Sequence, residues 1–235
     1  MNRDYAELKR HLGEVVDLRR VSSLLEWDQQ TLMPSRAAEL RADELGTLDR
    51  LAHERFTSPE VGRLLENLAQ YEQTLDPESD EASLIRVTRR DWEKARKVPS
   101  ELRGEMTHSA ATALPTWVNA RQESDFKSFL PHLERNVELK RRYIACFDGA
   151  GSAYDVLLDD FEEGMRTHEV DALFDELKRE LRPLIAEAAA NPVDDSFLTG
   201  DFAVDDQRRL NRLLVEQLGW TLDTWRFDEI VHPAA

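Results

Sequence analysis

Leu24-Leu25-Glu26-Trp27-Asp28-Gln29-Gln30-Thr31-Leu32-Met33-Pro34 is the stretch whose reading decides the fold. It closes a long amphipathic pattern that begins near Tyr5. Tyr5, Leu8, Leu12, Val15, Leu18, Val21 and Leu25 are spaced by three and four, so a helix places them on one seam. The next two positions in that register are Asp28 and Leu32. A carboxylate on a buried seam costs on the order of several kcal/mol unless it is paired and hydrogen-bonded. Asp28 therefore has two readings. It accepts hydrogen bonds from a neighbouring helix as a structural group, or it lines a cleft. Trp27 beside it reads as a large core or interface aromatic. Pro34 stops the helix, because the residue before a proline is pushed out of the helical region.

The same grammar repeats along the chain. Ser35 is placed to cap a second helix reaching about Arg55. Ser58-Pro59-Glu60 combines a cap, a proline at the first helical position and an acid in the first turn. Asp76-Pro77-Glu78 offers the same start for a fourth helix, whose Arg86, Arg89, Arg90, Lys94, Arg96 and Lys97 form the one basic patch. Such a run reads as a solvated face pairing with acidic helices, or as a holder of a substrate carboxylate. A fifth helix runs from Ser100 to about Arg121, with Pro115 expected to kink or split it. Ser124-Asp125 caps a sixth, with Pro131 in or just after its first turn, ended by Gly149 and Gly151. Thr167 opens a seventh, bent at Pro183 and ended by Asn191-Pro192. Asp205-Asp206 opens a last one, Gln207 to Leu218, closed by Gly219. No alternation of period two argues for strands. The expectation is an all-α chain, an elongated bundle of long antiparallel helices joined by short Pro-marked turns, with no interdomain linker and residues 1–235 as a single helical region.

Bulk properties narrow the function. At 235 residues with 41% hydrophobic and 33% charged positions, the chain can bury a sizeable core but is rich in surface. A net charge of −16 repels nucleic acid and anionic membranes. Cys146 is the only cysteine, so no intrachain disulfide forms and a reducing compartment is expected. No basic-then-apolar leader follows Met1, and no apolar run approaches the ~20 residues that span a bilayer. A cytoplasmic location is the expectation.

Three blocks carry a family resemblance. The first is L-L-x-W-D-Q-x-T-x-M-P, with Trp27, Asp28, Gln29 and Pro34. The second is W-V-N-A-R-x-x-x-D-F-x-x-F-x-P-H-L-E-R, Trp117 to Arg135. The third is Tyr154 to Met165, keeping Tyr154, Asp155, Leu157, Leu158, Asp159, Phe161, Glu162 and Gly164. In this order they resemble the carboxypeptidase Taq family of zinc metallocarboxypeptidases. A weaker fourth match is D-x-x-x-H-P at Asp228, His232 and Pro233, while the Trp225 region departs from the family's Gly-Arg. The resemblance implies the N-terminal and lid region of a zincin-like peptidase. It also implies a peptide substrate and zinc or cobalt in the full-length family, and Asp28 and His232 as groove-lining candidates.

The catalytic set of such an enzyme is missing from these residues. H-E-x-x-H places two imidazoles on one helix face and a glutamate on the metal-bound water. The six histidines are His11, His53, His108, His132, His168 and His232, and no two lie four apart. His53-Glu54 and His168-Glu169 begin the motif, but Thr57 and Ala172 stand where the second imidazole is needed. Each histidine is read as a surface or capping residue, and the acids of the third block as helix caps or as acceptors for the basic fourth helix, since their spacing does not fit a calcium loop. There is no G-x-S-x-G and no phosphate loop, and Cys146 sits in an apolar helical pattern. The expectation is a chain with no catalytic residues, no metal site and no cofactor of its own. The resemblance implies the N-terminal half of a metallocarboxypeptidase, expected to be inactive alone. The alternative is a non-catalytic helical interaction protein that forms a homodimer.

Overall fold

The computed structural model describes residues 2–147, 151–221 and 223–230. Among them the regular structure is entirely helical: α1 (Arg3–Thr31), α2 (Ala38–Phe56), α3 (Pro59–Asn67), α4 (Ala69–Glu72), α5 (Asp80–Ala95), α6 (Ser100–Glu123), α7 (Phe126–Ile144), α8 (Ala153–Leu158), α9 (Thr167–Ala190) and α10 (Val204–Gln217). No helix among the described residues is long and apolar enough to cross a membrane. Contacts divide the chain into two units. The described part of residues 1–150 together with Ile230 forms one, and residues 151–229 form the other.

In the first unit the seam of α1 organises the core. Tyr5 and Leu8 join Val61, Leu64, Leu65, Leu68 and Ile85 of the α3–α5 region. Val15, flanked by Leu12 and Leu18, meets Ala52 and Phe56 of α2. Leu25 packs against Ala42, Leu45 and Ala111. The seam is not covered throughout: Val21 is 47% exposed and Leu32 57%. Ion pairs fix the direction of the hairpin. Arg41 at the start of α2 meets Asp28 at the end of α1, and Arg55 at the end of α2 meets Glu14 near the start of α1. The two helices are antiparallel.

α6 runs antiparallel to α2. His53 reaches the Val98 carbonyl, Thr107 donates to Asp49, and Ala111 packs on Ala42. The two backbones touch at Gly46 and Gly104. A Cβ on Gly104 would lie 2.8 Å from the Gly46 carbonyl oxygen, and one on Gly46 would lie 3.0 Å from the Gly104 carbonyl oxygen. Glycine in a helix interior costs roughly 0.5–1 kcal/mol relative to alanine, so two of them facing each other mark a crossing that tolerates no side chain. α7 then packs antiparallel on α6, with Ser109 donating to Asn136 and Glu105 pairing with Arg135 and Arg142.

Several boundaries differ from the sequence reading. Ser35 begins a short 3-10 turn, Ser35–Ala37, and does not cap α2. The cap of α5 is Ser79, whose hydroxyl accepts from the Ala82 amide, so Asp76-Pro77-Glu78 forms the turn before it. Ser124 ends α6 in the left-handed region at φ 55° and Asp125 alone occupies the N-cap of α7. Pro131 lies just after the first turn of α7, as the sequence reading has it. α6 and α9 pass through Pro115 and Pro183 without a break. α10 starts at Val204, so Asp205 and Asp206 lie in its first turn. Gly149 falls outside the described residues. α8, a six-residue helix in the third block, was not anticipated. The basic patch on α5 is partly spent internally: Arg89 donates to Glu72 and to the Leu65 carbonyl.

The second unit holds few buried groups. Asp155 and Val156 of α8 are buried, while Leu173, Phe174, Leu177, Leu184 and Ile185 of α9 are each about half exposed or more.

Gly104→Ala sets a helix-propensity gain of up to about 1 kcal/mol against a backbone clash costing roughly 1–3 kcal/mol. The clash has no flexible neighbour to absorb it, so the urea midpoint falls. Gly13→Ala is the matched control, because a Cβ there meets nothing within 4 Å. Its midpoint rises.

Candidate functional site: the pocket at the end of α1

The first two sequence blocks converge in space. Gln29, Gln30 and Met33, from the end of α1 and the turn after it, face Trp117, Val118 and Asn119 of α6 across an open cavity of about 260 Å³. Ile230 and Pro115 complete its rim.

Gln29 is the tie that holds these walls together. Pro115 has no N–H, so the carbonyl of Ala111 one turn earlier loses its helical donor. The Gln29 side-chain amide donates to that carbonyl at 2.9 Å, with Ala111 itself buried. A helix with proline in its interior thereby stays satisfied, through a side chain 82 positions earlier in the chain.

Asp28 sits one residue away and is turned to α2. Its Oδ2 accepts from Arg41 at 2.7 Å, and Arg41 also donates to the Leu25 carbonyl at 2.7 Å. The Arg41 and Asp28 side chains are 13% and 29% exposed, sheltered enough for the pair to anchor the hairpin and open enough for Asp28 to remain reachable. Arg41 was missed in the sequence, where it reads as one charge on a polar face. The signal was indirect: a carboxylate on the apolar seam requires a cation opposite. Thr31 donates to the Trp27 carbonyl in the last turn of the helix that Pro34 follows. His232, the other groove candidate, lies outside the described residues.

The third block makes a separate local device. Asp155 occupies the third position of α8 in a reciprocal capping box with Ser152. Its carboxylate also receives the Thr167 amide at 2.7 Å and the Thr167 hydroxyl, at the start of α9. These bonds, from Thr167 first and the Ser152 amide next, hold the Asp155 carboxyl far below the usual carboxylate range. Asp159 accepts from the Gly164 amide at 2.9 Å, closing the turn between the helices. Tyr154 is 60% exposed. Asp155 thus caps a helix and Asp159 closes a turn.

Two histidines read as surface or capping residues are buried. His53 is buried and its Nε2 donates to the Val98 carbonyl at 2.7 Å. Burial pushes its imidazole below the ordinary histidine range, against the pull of that hydrogen bond. His11 is fully buried on α1. Around it lies the one group of three potential metal ligands among the described residues, Glu7, His11 and Glu60, whose ligand atoms fall within 4.8 Å of one another. That set contains a single imidazole, and no second histidine lies four residues from any other. The residues present therefore do not fit the catalytic metal of an H-E-x-x-H enzyme, and no hydrolytic step is derived through one here.

Among the described residues the regular structure is all helical, with a walled pocket at the end of α1. The profile of the carboxypeptidase Taq (M32) metallopeptidase family matches residues 7–235, and the chain belongs to that family. It is 34% identical over 240 residues to thermostable carboxypeptidase 1 of Thermus thermophilus, covering 97% of this chain and 47% of that protein. It is 33% identical over 232 residues to carboxypeptidase 1 of Bacillus subtilis, covering 97% of this chain and 45% of that one. The solved structure designated BsuCP superposes with a TM-score of 0.89 at 29% identity, covering 99% of this chain and 47% of that chain. The chain spans about half the length of the curated relatives it matches.

Gln29→Ala strands the Ala111 carbonyl and costs about 1–3 kcal/mol in chemical denaturation. In a Pro115→Ala background the restored N–H takes that carbonyl, and the same Gln29→Ala change costs much less. Equal losses in both backgrounds would remove the compensation from the account.

Asp155 gives a pH prediction. Because its folded value is depressed, its stabilising contribution is complete above the unfolded range near pH ~4 and is lost as pH falls from there toward the folded value. Amide exchange at Thr167 is expected to accelerate over that acid window, and Asp155→Asn flattens the response.

Proposed function

We propose that this chain supplies the N-terminal half of a zinc-dependent carboxypeptidase, the half that walls the groove through which a peptide C-terminus enters, and that it is catalytically silent by itself. The reading rests on family membership over residues 7–235, coupled with a sequence that contains no H-E-x-x-H. The relatives are named carboxypeptidases. In the whole protein the metal, zinc or cobalt, would be held by residues that this sequence does not contain. The contribution of these residues is to bind, orient and exclude water.

The pocket between the end of α1 and α6 supports the wall assignment. Its apolar Met33, Trp117 and Val118 can take a side chain, while Gln30 and Asn119 offer amides to a peptide backbone. Asp28, fixed by Arg41, stands as the groove-lining candidate beside it.

A second reading is favoured by one observation. The α9 stripe from Leu173 to Ile185 is apolar and exposed in this unit, as an interaction surface would be. Under it the chain is a helical binding protein that associates with a second copy.

The two readings separate in one set of measurements. The purified chain, incubated with an N-blocked dipeptide and added zinc or cobalt, is expected to release amino acid no faster than buffer. Clear turnover would overturn the proposal. Light scattering on the same sample addresses the alternative: a stable dimer favours it, and a monomer removes it.

A further inference from the structure

The α1 histidine that the fold buries is not explained by packing. His11 has no exposed surface at all, and its Nδ1 has no hydrogen-bond partner. Leaving a buried donor or acceptor unmade costs roughly 1–3 kcal/mol. Its Nε2 is turned toward the helix surface, 3.6 Å from Glu7 Oε1 and 3.3 Å from Glu60 Oε2. Neither approach is a formed hydrogen bond. The polar contact that Nε2 does make is with the Arg10 guanidinium at 3.2 Å. A guanidinium has only donors, so Nε2 accepts from Arg10 with its one lone pair, and the two carboxylates stand beside that contact.

We propose that Glu7, His11 and Glu60 form a binding site for a divalent cation of the zinc class. It would staple the first half of α1 to the first turn of α3.

The local sequence builds this geometry. Glu7 and His11 are four apart on α1 and share a face. Glu60 follows Pro59, the first residue of α3, so it projects from the opening turn of that helix. Beneath the site, Tyr5 and Leu8 of α1 pack on Val61, Leu64 and Leu65 of α3, which holds the two backbones at a fixed spacing. A tetrahedral ion with bonds of about 2.0–2.2 Å has ligand-to-ligand edges of roughly 3.3–3.6 Å. The two Nε2-to-oxygen distances fall in that range before any ion is added. One imidazole with two carboxylates is a mixed nitrogen–oxygen set suited to zinc and its first-row neighbours. The carboxylates are 40% and 43% exposed, so the fourth position opens to water.

Arg10 is the internal competitor. Its Nη2 donates to Glu7 Oε1 at 2.6 Å, holding that carboxyl below the usual range. Its Nη1 already pairs with Glu14. The side chain is 52% exposed, free to leave for Glu14 when an ion arrives. The site is thus arranged for positive charge, with a mobile cation now in the place of a fixed one.

The test is titration of the 235-residue chain with cobalt chloride as a spectroscopic probe, and with zinc chloride by calorimetry. One equivalent is expected to bind, with visible cobalt bands of a four- or five-coordinate site. Glu60→Gln alters a half-exposed group and leaves the core intact. It should weaken binding at least about tenfold. Arg10→Ala should tighten it. His11→Gln should abolish the bands, with circular dichroism confirming the fold. Binding that is unchanged in Glu60→Gln, or that stays below one equivalent in the unmodified chain, would overturn the proposal.

Discussion

Two glycines back to back set the spacing on which the first unit depends. Gly46 and Gly104 bring the backbones of α2 and α6 close enough that either carbonyl would strike a Cβ on the other helix. That approach puts Ala111 against Ala42 and Leu45, and Leu25 of α1 joins the same cluster. It also leaves the Ala111 carbonyl, freed by Pro115, within reach of Gln29. A wider crossing would lose both the small-residue packing and the compensating hydrogen bond. The pocket walls follow, since its two sides are the residues just past Gln29 and just past Pro115.

Several sheltered polar groups of the two units are paired, each in its own way. Buried donors and acceptors must be paired. Asp28 on the apolar seam is paired by Arg41, His53 by the Val98 carbonyl, and Asp155 by Ser152 and Thr167. Each tie joins segments that hydrophobic contact alone leaves free to slide. In the first and third blocks these side chains make structural ties. Gln29 serves α6, Asp28 serves α2, and Asp155 sets the angle between α8 and α9.

The chain belongs to the carboxypeptidase Taq family, and its apolar stripes are covered to different degrees. Amphipathic helices bury their apolar stripe against a partner. In the first unit the stripe of α1 does so over its first two-thirds, then opens at Val21 and Leu32. In the second unit, the stripe on α9 stays about half exposed among the described residues. The chain matches only about half the length of its relatives.

By itself the sequence determined the class of fold, the α1 seam, the break at Pro34, the start of α3 at Pro59 and the family, because these depend on local periodicity, caps and short motifs. It also flagged Asp28, since a charge in an apolar register stands out in one dimension. It misplaced the caps of α2 and α5, where several hydroxyls and acids compete and only backbone geometry selects one. Tertiary structure alone decided that Arg41 answers Asp28, that Gln29 answers Pro115, that Gly46 meets Gly104, and that His11 and His53 are buried. The physical reason is common to all of these. Each is a contact between residues distant along the chain, and the packing of one helix on another is what makes a glycine a crossing point or a histidine an interior group.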